Sequence, residues 1–163
     1  MKKYRKVAVG GTFDELHRGH KALLSRAFEV GEKVVIGLSS DEFAAKMGKP
    51  HITASYAERR KELSAYLAEG GLADRAEIVP LKDQYGLTIK GRGLEALVVS
   101  KETAKTAGSI NEARQKTGLP PLEIVAVEMI QADNDAPIST TRIRRGEIDR
   151  NGHLLKTIKN RII

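Results

Sequence analysis

Short apolar runs alternate with helical patterns along most of this chain. Val7–Val9 and Lys33–Leu38 are nearly unbroken apolar, β-branched runs, which is typical of strands covered on both faces of a sheet. Between them, Lys21–Gly31 has apolar residues at helical spacing and ends in glycine, a common helix stop. These three segments predict a βαβ unit.

The same alternation continues toward the C-terminus. A helix is predicted over Ser55–Ala68, because Ser55 and Glu58 fit a capping box and Gly70 follows its end. Further strands are predicted at Glu77–Val79, Leu97–Val99 and Leu122–Val127, and a further helix at Ser109–Lys116. Five strands alternating with helices predict an α/β fold with a Rossmann-like, doubly wound five-stranded parallel sheet. Ligands of such sheets bind beyond the carboxyl ends of the strands.

Length and composition fit one globular unit. The 163 residues are 40% hydrophobic and 30% charged, so a single domain over residues 1–163 is expected, with a basic C-terminal segment at about residues 138–163. The absence of Cys excludes a disulfide scaffold, a thiolate zinc site and a cysteine nucleophile. No apolar run reaches signal-peptide or membrane-spanning length, so the cytoplasm is the expected location.

The charge balance favours polyanionic partners. Lys and Arg number 28 against 21 Asp and Glu, a formal net charge of +7. Nucleic acid, nucleotides and phosphorylated metabolites all fit that balance, and so does a basic surface that binds nothing.

The segment Gly10–His20 follows the first predicted strand and leads into the first helix. Its glycines allow close approach of a ligand to the backbone, and the N–H groups at a helix start attract anions. His17 and His20 each have a ring N–H suited to donate to phosphoryl oxygens as charge develops in a transition state, and Gly19 between them leaves room. This segment predicts a phosphate site.

Other interpretations of the two histidines are a packing pair or half of a metal site, with two ligands three residues apart. Against a metal, His51 and His153 are isolated and no third ligand has a recognisable spacing, so no protein-bound metal is expected. The segment has neither the Gly-x-x-x-x-Gly-Lys-Ser/Thr pattern of P-loops nor the Gly-x-Gly-x-x-Gly of dinucleotide-binding folds.

A second candidate anion site lies near the C-terminus, at residues 138–143. Ser139, Thr140 and Thr141 provide hydroxyls and backbone N–H groups for a helix start, and Arg142 adds a fixed positive charge. An ordinary helix cap after Pro137 explains this segment equally well when it is considered alone.

The two segments together resemble the signatures of one superfamily. Gly11-Thr-Phe-Asp followed by His17-Arg-Gly-His20 resembles the His-x-Gly-His motif of nucleotidylyltransferases, and Ile138-Ser-Thr-Thr-Arg-Ile143 resembles their Ile-Ser-Ser/Thr-Thr-x-Ile motif. Within the superfamily, most of Lys6–Arg145 is similar to archaeal-type phosphopantetheine adenylyltransferases. That similarity rests on three segments: Asp83–Gly86, Val98–Thr103 and Ile110–Arg114. Leu87 departs from the family, where proline commonly follows Tyr-Gly.

The resemblance implies that ATP and 4′-phosphopantetheine become dephospho-coenzyme A and pyrophosphate. The acceptor's phosphate oxygen attacks the α-phosphorus in line, so no protein nucleophile is needed and catalysis consists of positioning and charge stabilisation. Mg²⁺ is the expected cofactor, carried with ATP. No nucleic acid or membrane partner is expected, and a monomer is favoured.

The resemblance also implies roles for individual residues. Thr12 holds the acceptor phosphate, His20 the α-phosphate, and His17 the polyphosphate or the developing charge. The active-site lysine after the second strand is Lys46 or Lys49, with Lys49 favoured as the catalytic one and both expected to bind the acceptor. The predicted nucleotide-binding residues are Gly11, Thr12, Phe13, His17, His20, Ser100, Glu102, Ser139, Thr140, Thr141 and Arg142.

Two arginines have weaker assignments. Arg59, in Tyr56-Ala-Glu-Arg59, is interpreted as structural or acceptor-side. Arg114 either reaches toward phosphate or forms a surface ion pair with Glu112 or another acid.

Related activities remain open at this point. FAD synthetases, cytidylyltransferases of small phosphoalcohols and nicotinamide-mononucleotide adenylyltransferases share both end motifs, and the Val98–Thr103 segment is the reason to favour phosphopantetheine. A basic nucleic-acid-binding domain is a more distant alternative, because the chain has only three Phe, four Tyr and no Trp for base stacking.

Overall fold

The computed structural model describes residues 3–14, 16–46, 53–83, 93–100 and 104–128. In chain order these form β1 (Tyr4–Gly11), α1 (Arg18–Val30), β2 (Gly31–Ser39), α2 (Asp41–Lys46), α3 (Tyr56–Glu69), a 3₁₀ turn (Ala73–Arg75), β3 (Ala76–Leu81), β4 (Ala96–Ser100), α4 (Ala104–Lys116) and β5 (Glu123–Val127). All five predicted strands are present. The predicted basic segment at residues 138–163 lies outside the described residues.

The five strands form one parallel sheet in the order β3-β2-β1-β4-β5. The Rossmann-like topology predicted from the alternating pattern is therefore confirmed. The strand order reverses between β1 and β4, and in open α/β sheets this switch point is where ligands bind. The β1–β2 pairing extends to Gly11 and Leu38, whereas the β1–β4 pairing stops at Val9 and Val98. A crevice at the carboxyl edge therefore begins between β1 and β4.

Alternate residues of the central strands enter two hydrophobic clusters, one on each face. Val7 and Val9 of β1 belong to the cluster covered by α1 and α3, and Ala8 belongs to the cluster covered by α4. All three are fully buried, which is why β1 has a continuous apolar sequence. Helices on both faces make the sheet doubly wound.

The junction between α1 and β2 has no connecting loop. A Cβ at Gly31 would lie 2.7 and 2.9 Å from the two methyl carbons of Val7, so this position needs glycine for packing. Arg75 stabilises the same junction by donating to the backbone carbonyls of Phe28, Gly31 and Glu32 at 2.6 to 3.0 Å. This junction lies at the amino-terminal edge of the sheet, opposite the crevice.

Several element boundaries differ from the predictions. The first helix begins at Arg18, not Lys21, because His17 caps it, and α4 begins at Ala104, not Ser109. The first turns of α4 contain small residues such as Ala107, which is buried, and they lack the apolar periodicity by which helices are predicted. The serine half of the predicted cap at α3 is confirmed, since Ser55 Oγ accepts from the Glu58 N–H at 3.2 Å.

Two short elements were not predicted from the sequence, α2 and the 3₁₀ turn. Both are shorter than the span over which helical periodicity becomes visible. Within the described ranges, no helix combines the length and the apolar character needed to cross a bilayer.

Candidate active site

The predicted phosphate segment lies at the carboxyl end of β1, beside the point where the strand order reverses. The offset that pairs Val9 with Val98 sets Ser100, the last residue of β4, level with Gly11. The chain then turns into α1, whose first turn has backbone N–H groups without intrahelical partners. The fold therefore brings an anion-attracting helix start to the crevice between β1 and β4.

His17 and His20 cap the start of α1 reciprocally. His17 Nδ1 accepts from the His20 backbone N–H, and His20 Nδ1 accepts from the His17 backbone N–H, each at 3.3 Å. Serine or threonine with glutamate or glutamine normally forms this reciprocal arrangement, and here two imidazoles form it. The spacing of three residues is thus a requirement of the cap, and the pair has a structural role.

The cap also fixes which ring nitrogen has the proton. A nitrogen that accepts a hydrogen bond has no proton, so the proton of each neutral ring is on Nε2. The rings are stacked, with centroids 3.6 Å apart and planes 17° apart. The stack and the cap together hold both rings in one orientation. The pair is therefore set up to present Nε2–H donors.

Phe13 packs against the imidazole pair from the hydrophobic core. Its ring is 2% exposed, lies in the core and contacts His20 edge-on, with centroids 5.3 Å apart. A Cβ at Gly11 would lie 3.2 Å from the same ring, so the glycine makes space for Phe13. Nucleotide binding by Gly11 and Phe13 stays a prediction.

Thr12 and Asp14 connect the turn after β1 to the segment that leads into α3. Thr12 is buried at the end of β1, and Asp14 is 1% exposed, with its carboxylate accepting from the Ala54 N–H at 3.2 Å. Arg59 of α3 is buried behind Thr12 and donates to its carbonyl oxygen at 2.9 Å. Sequence reasoning did not assign a role to Asp14 and left that of Arg59 open, because charged residues are usually exposed.

Lys46 and Ser100 both lie at the carboxyl edge. Lys46 is the exposed last residue of α2, directly after β2, and Ser100 is half-buried at the end of β4. The other predicted site residues lie outside the described residues: Lys49, Glu102, Ser139, Thr140, Thr141 and Arg142.

Arg114 is buried, so its interpretation as a surface residue is wrong, while its contact with phosphate stays a prediction. It is in the last turn of α4, just before β5, and therefore at the amino-terminal edge of the sheet. It is 2% exposed, so it is not a surface residue, and its Nε donates to the Pro120 carbonyl at 2.8 Å. Burial lowers the pKa of Arg114 below its ordinary value. Its position, far from the crevice, gives no support to a phosphate contact.

A cavity of about 410 Å³ opens at the ends of β2 and β3. Its lining consists of Ser40, Asp41, Glu42, Tyr56, Pro80 and Lys82. Over the described part of the chain, no group of three or more His, Cys, Asp or Glu side chains is arranged to hold a metal ion. The edge thus combines the predicted phosphate segment with an adjoining space large enough for a small organic group.

Comparison with known proteins places this geometry in a family. A family model described as cytidylyltransferase-like matches residues 8–146. A phosphopantetheine adenylyltransferase of Methanothermobacter thermautotrophicus is 48% identical over 158 residues, which cover 97% of this chain and 94% of the relative. The enzyme of the same name from Methanopyrus kandleri is 45% identical over 149 residues, covering 91% of this chain and 94% of that relative. A solved structure of a protein of unknown function from Archaeoglobus fulgidus is 36% identical, with a TM-score of 0.66 and coverage of 75% of this chain and 88% of that one.

Proposed function

The chain belongs to the cytidylyltransferase-like family, in which its archaeal relatives are phosphopantetheine adenylyltransferases, and from that membership we propose that it transfers the adenylyl group of ATP to 4′-phosphopantetheine. The products are dephospho-coenzyme A and pyrophosphate, a step of coenzyme A synthesis. The observation that carries this proposal at the level of chemistry is the reciprocally capped imidazole pair at the switch point of the sheet.

The reaction needs no nucleophile from the protein. A phosphate oxygen of the acceptor attacks the α-phosphorus of ATP, and pyrophosphate leaves on the opposite side. Negative charge builds on the oxygens of the transferred group, so groups that donate hydrogen bonds there lower the barrier. His20 Nε2–H is the proposed donor to the α-phosphate, and His17 Nε2–H faces the polyphosphate or the developing charge.

Donors held by a helix cap suit this role. Because each Nδ1 is engaged by a backbone N–H, the rings keep one orientation and one tautomer, and little reorganisation is needed during transfer. The backbone N–H groups at the start of α1 add further donors. Positioning and polarisation thus come from a single turn of chain.

Basic residues reduce the repulsion between the two anionic substrates. Lys46 at the carboxyl edge is one such group, and Lys49 and the segment Ser139–Arg142 are proposed as others. Glu102 is proposed to contact the nucleoside, together with Ser100. Mg²⁺ is proposed to enter on the phosphates of ATP, a mode that needs no dedicated carboxylate cage, and chelation with EDTA is expected to stop transfer until Mg²⁺ is restored.

The acceptor is proposed to lie on the β2 side of the nucleotide. Its phosphate is placed at Thr12, and the cavity at the ends of β2 and β3 takes the arm that follows the phosphate. One nitrogen of Arg59 donates to carbonyl oxygens of both Thr12 and Ser39, at 2.9 and 2.8 Å, so the ends of β1 and β2 are adjacent. The cavity is therefore within reach of an acceptor whose phosphate sits at Thr12.

The proposal is tested by product analysis with a panel of acceptors. The purified chain is incubated with ATP, Mg²⁺ and one acceptor at a time: phosphopantetheine, riboflavin phosphate or nicotinamide mononucleotide, and with CTP and glycerol phosphate in a separate reaction. Pyrophosphate release and a new mass equal to dephospho-coenzyme A are expected with phosphopantetheine alone. A response only to riboflavin phosphate, or only to CTP with glycerol phosphate, would overturn the acceptor assignment while leaving the transfer chemistry intact.

A further inference from the structure

Arg59 is a buried cation with four hydrogen bonds, three of them to backbone carbonyl oxygens. Its side chain begins on α3 and is 1% exposed. Nε donates to the Ala54 carbonyl at 2.8 Å, and Nη1 donates to the carbonyls of Thr12 and Ser39 at 2.9 and 2.8 Å. Nη2 donates to Asp41 Oδ1 at 3.2 Å. A planar guanidinium is suited to hold several acceptors in one fixed arrangement.

These four acceptors belong to the four chain segments around the proposed acceptor phosphate. Thr12 directly follows β1, Ser39 ends β2, Asp41 starts α2 and Ala54 precedes α3. A further hydrogen bond links the segment before α3 to the turn after β1, since the Ala54 N–H donates to the carboxylate of Asp14 at 3.2 Å. A shift of Arg59 would therefore move the turn after β1 relative to the second strand and to the helix that ends at Lys46.

The charge of Arg59 is only partly compensated. Asp41 is its counter-ion, and the side chain of Asp41 is 63% exposed, so water screens the carboxylate more than it screens the buried guanidinium. The remaining positive potential lies directly behind the Thr12 carbonyl. An anion held in front of Thr12 gains from it, because a charge of this kind is already oriented and needs no reorganisation.

We propose that Arg59 is a positioning residue for the phosphates of the substrates, acting through the Thr12 backbone and through its buried charge without touching substrate. This proposal rests on the proposed function for its kinetic readout. It distinguishes two contributions: the guanidinium geometry sets the rate of transfer, and the positive charge sets the affinity for anions.

Two substitutions at Arg59 separate the contributions, and a second arginine provides the control. R59K keeps the positive charge and loses the planar guanidinium with its several donors, whereas R59Q loses the charge. Arg75 makes the same kind of interaction, three bonds to backbone carbonyls, at the opposite edge of the sheet. R75K and R75Q therefore report what the loss of such a cluster does to stability alone.

All four variants are expected to lower Tm, and kinetic constants are compared well below the lowest Tm. R59K is expected to lower kcat by about a hundredfold with little change in KM for ATP, as expected for misplacement by about 1 Å. R59Q is expected to raise KM for ATP as well, by about ten- to thirtyfold, which is the effect of a unit charge acting from roughly 8 to 12 Å at the screening typical of a protein surface. R75K and R75Q are expected to keep wild-type kcat and KM.

Binding of ATP and of inorganic pyrophosphate, measured by the ligand-induced rise in Tm, provides a readout that needs no acceptor. If the wild-type chain transfers adenylyl groups to none of the acceptors, the proposed function fails, and the Arg59 proposal is still decided by binding. A smaller rise in Tm for R59Q than for R59K and R75Q supports it. Wild-type binding of both ligands by R59Q and R59K, with lowered Tm only, would assign Arg59 a purely structural role and overturn the proposal.

Discussion

His20 makes two contributions that substitution can separate. As the third residue of α1 it accepts from the His17 N–H, and as an imidazole it is the proposed donor to the α-phosphate of ATP. His20→Ala removes both. The lost hydrogen bond and the lost stack with His17 are together worth about 1 to 3 kcal/mol of the free energy of unfolding. At ~3 °C per kcal/mol for a chain of this size, Tm should fall by about 3 to 9 °C.

The effect on catalysis should be much larger than the effect on folding. Removal of one donor that acts in the transition state lowers kcat by about 10² to 10³, with a small change in KM. Pyrophosphate release with ATP and phosphopantetheine, measured on protein that is fully folded at the assay temperature, gives both constants.

His20→Glu is the matched variant. Glutamate at the third helical position is a normal partner in a capping box, so its carboxylate accepts from the His17 N–H and restores much of the lost Tm. An ionised carboxylate has no N–H to donate to the phosphate, so kcat should stay at least as low as in His20→Ala. Recovery of kcat together with Tm would mean that His20 acts only as a cap and would refute its role as a donor.

Three further expectations concern folding and can be checked by urea unfolding. Tyr4→Phe removes the hydrogen bond from the hydroxyl to Glu123 and should cost about 1 kcal/mol. Tyr56→Phe removes a buried hydroxyl that has no hydrogen-bond partner among the described residues, so it should be neutral or stabilising by about 1 kcal/mol. The hydrogen bond to Glu123, together with burial, raises the pKa of Tyr4. The stabilisation by this bond should therefore be complete below about pH 10 and lost as the pH rises through the folded-state pKa of Tyr4. The Tyr4→Phe variant should not show this loss of stability. Gly31→Ala should cost about 1 to 3 kcal/mol, because its Cβ would lie 2.7 Å from a methyl carbon of a buried β1 valine. Gly108→Ala in α4 should be neutral or stabilising, because a Cβ there meets nothing within 4 Å. Equal effects of the two glycine substitutions would contradict the packing role of Gly31.

The sheet was predictable because its central strands are buried on both faces. Val7–Val9 and Lys33–Leu38 have no polar face to alternate with, and the helix between them has the spacing of a helix packed on one side. The structure extends these strands and confirms the five-stranded parallel sheet. Helix starts were predicted less well, because α1 is capped by a histidine and the first turns of α4 have small residues in place of an apolar stripe.

The candidate site was predictable in its position and less so in its supports. A glycine-containing turn after the first strand, followed by a helix, located the phosphate segment. The internal bonds of that segment were not visible, since no sequence pattern announces that two imidazoles cap each other or that Arg59 is buried behind Thr12. Arg114 shows the opposite case: a cation within a segment that carries the family resemblance lies at the other edge of the sheet.

The central claim is that the imidazole pair and the hydroxyl-rich segment at residues 139–142 act on one triphosphate. A crystal structure of the chain with a non-hydrolysable ATP analogue and Mg²⁺ tests this directly. The account predicts the α-phosphate within hydrogen-bond distance of His20 Nε2, in the crevice between β1 and β4, with Ser139, Thr140 or Thr141 on the remaining phosphates. A triphosphate bound at any other edge of the sheet, or one contacted by only one of the two segments, would contradict it.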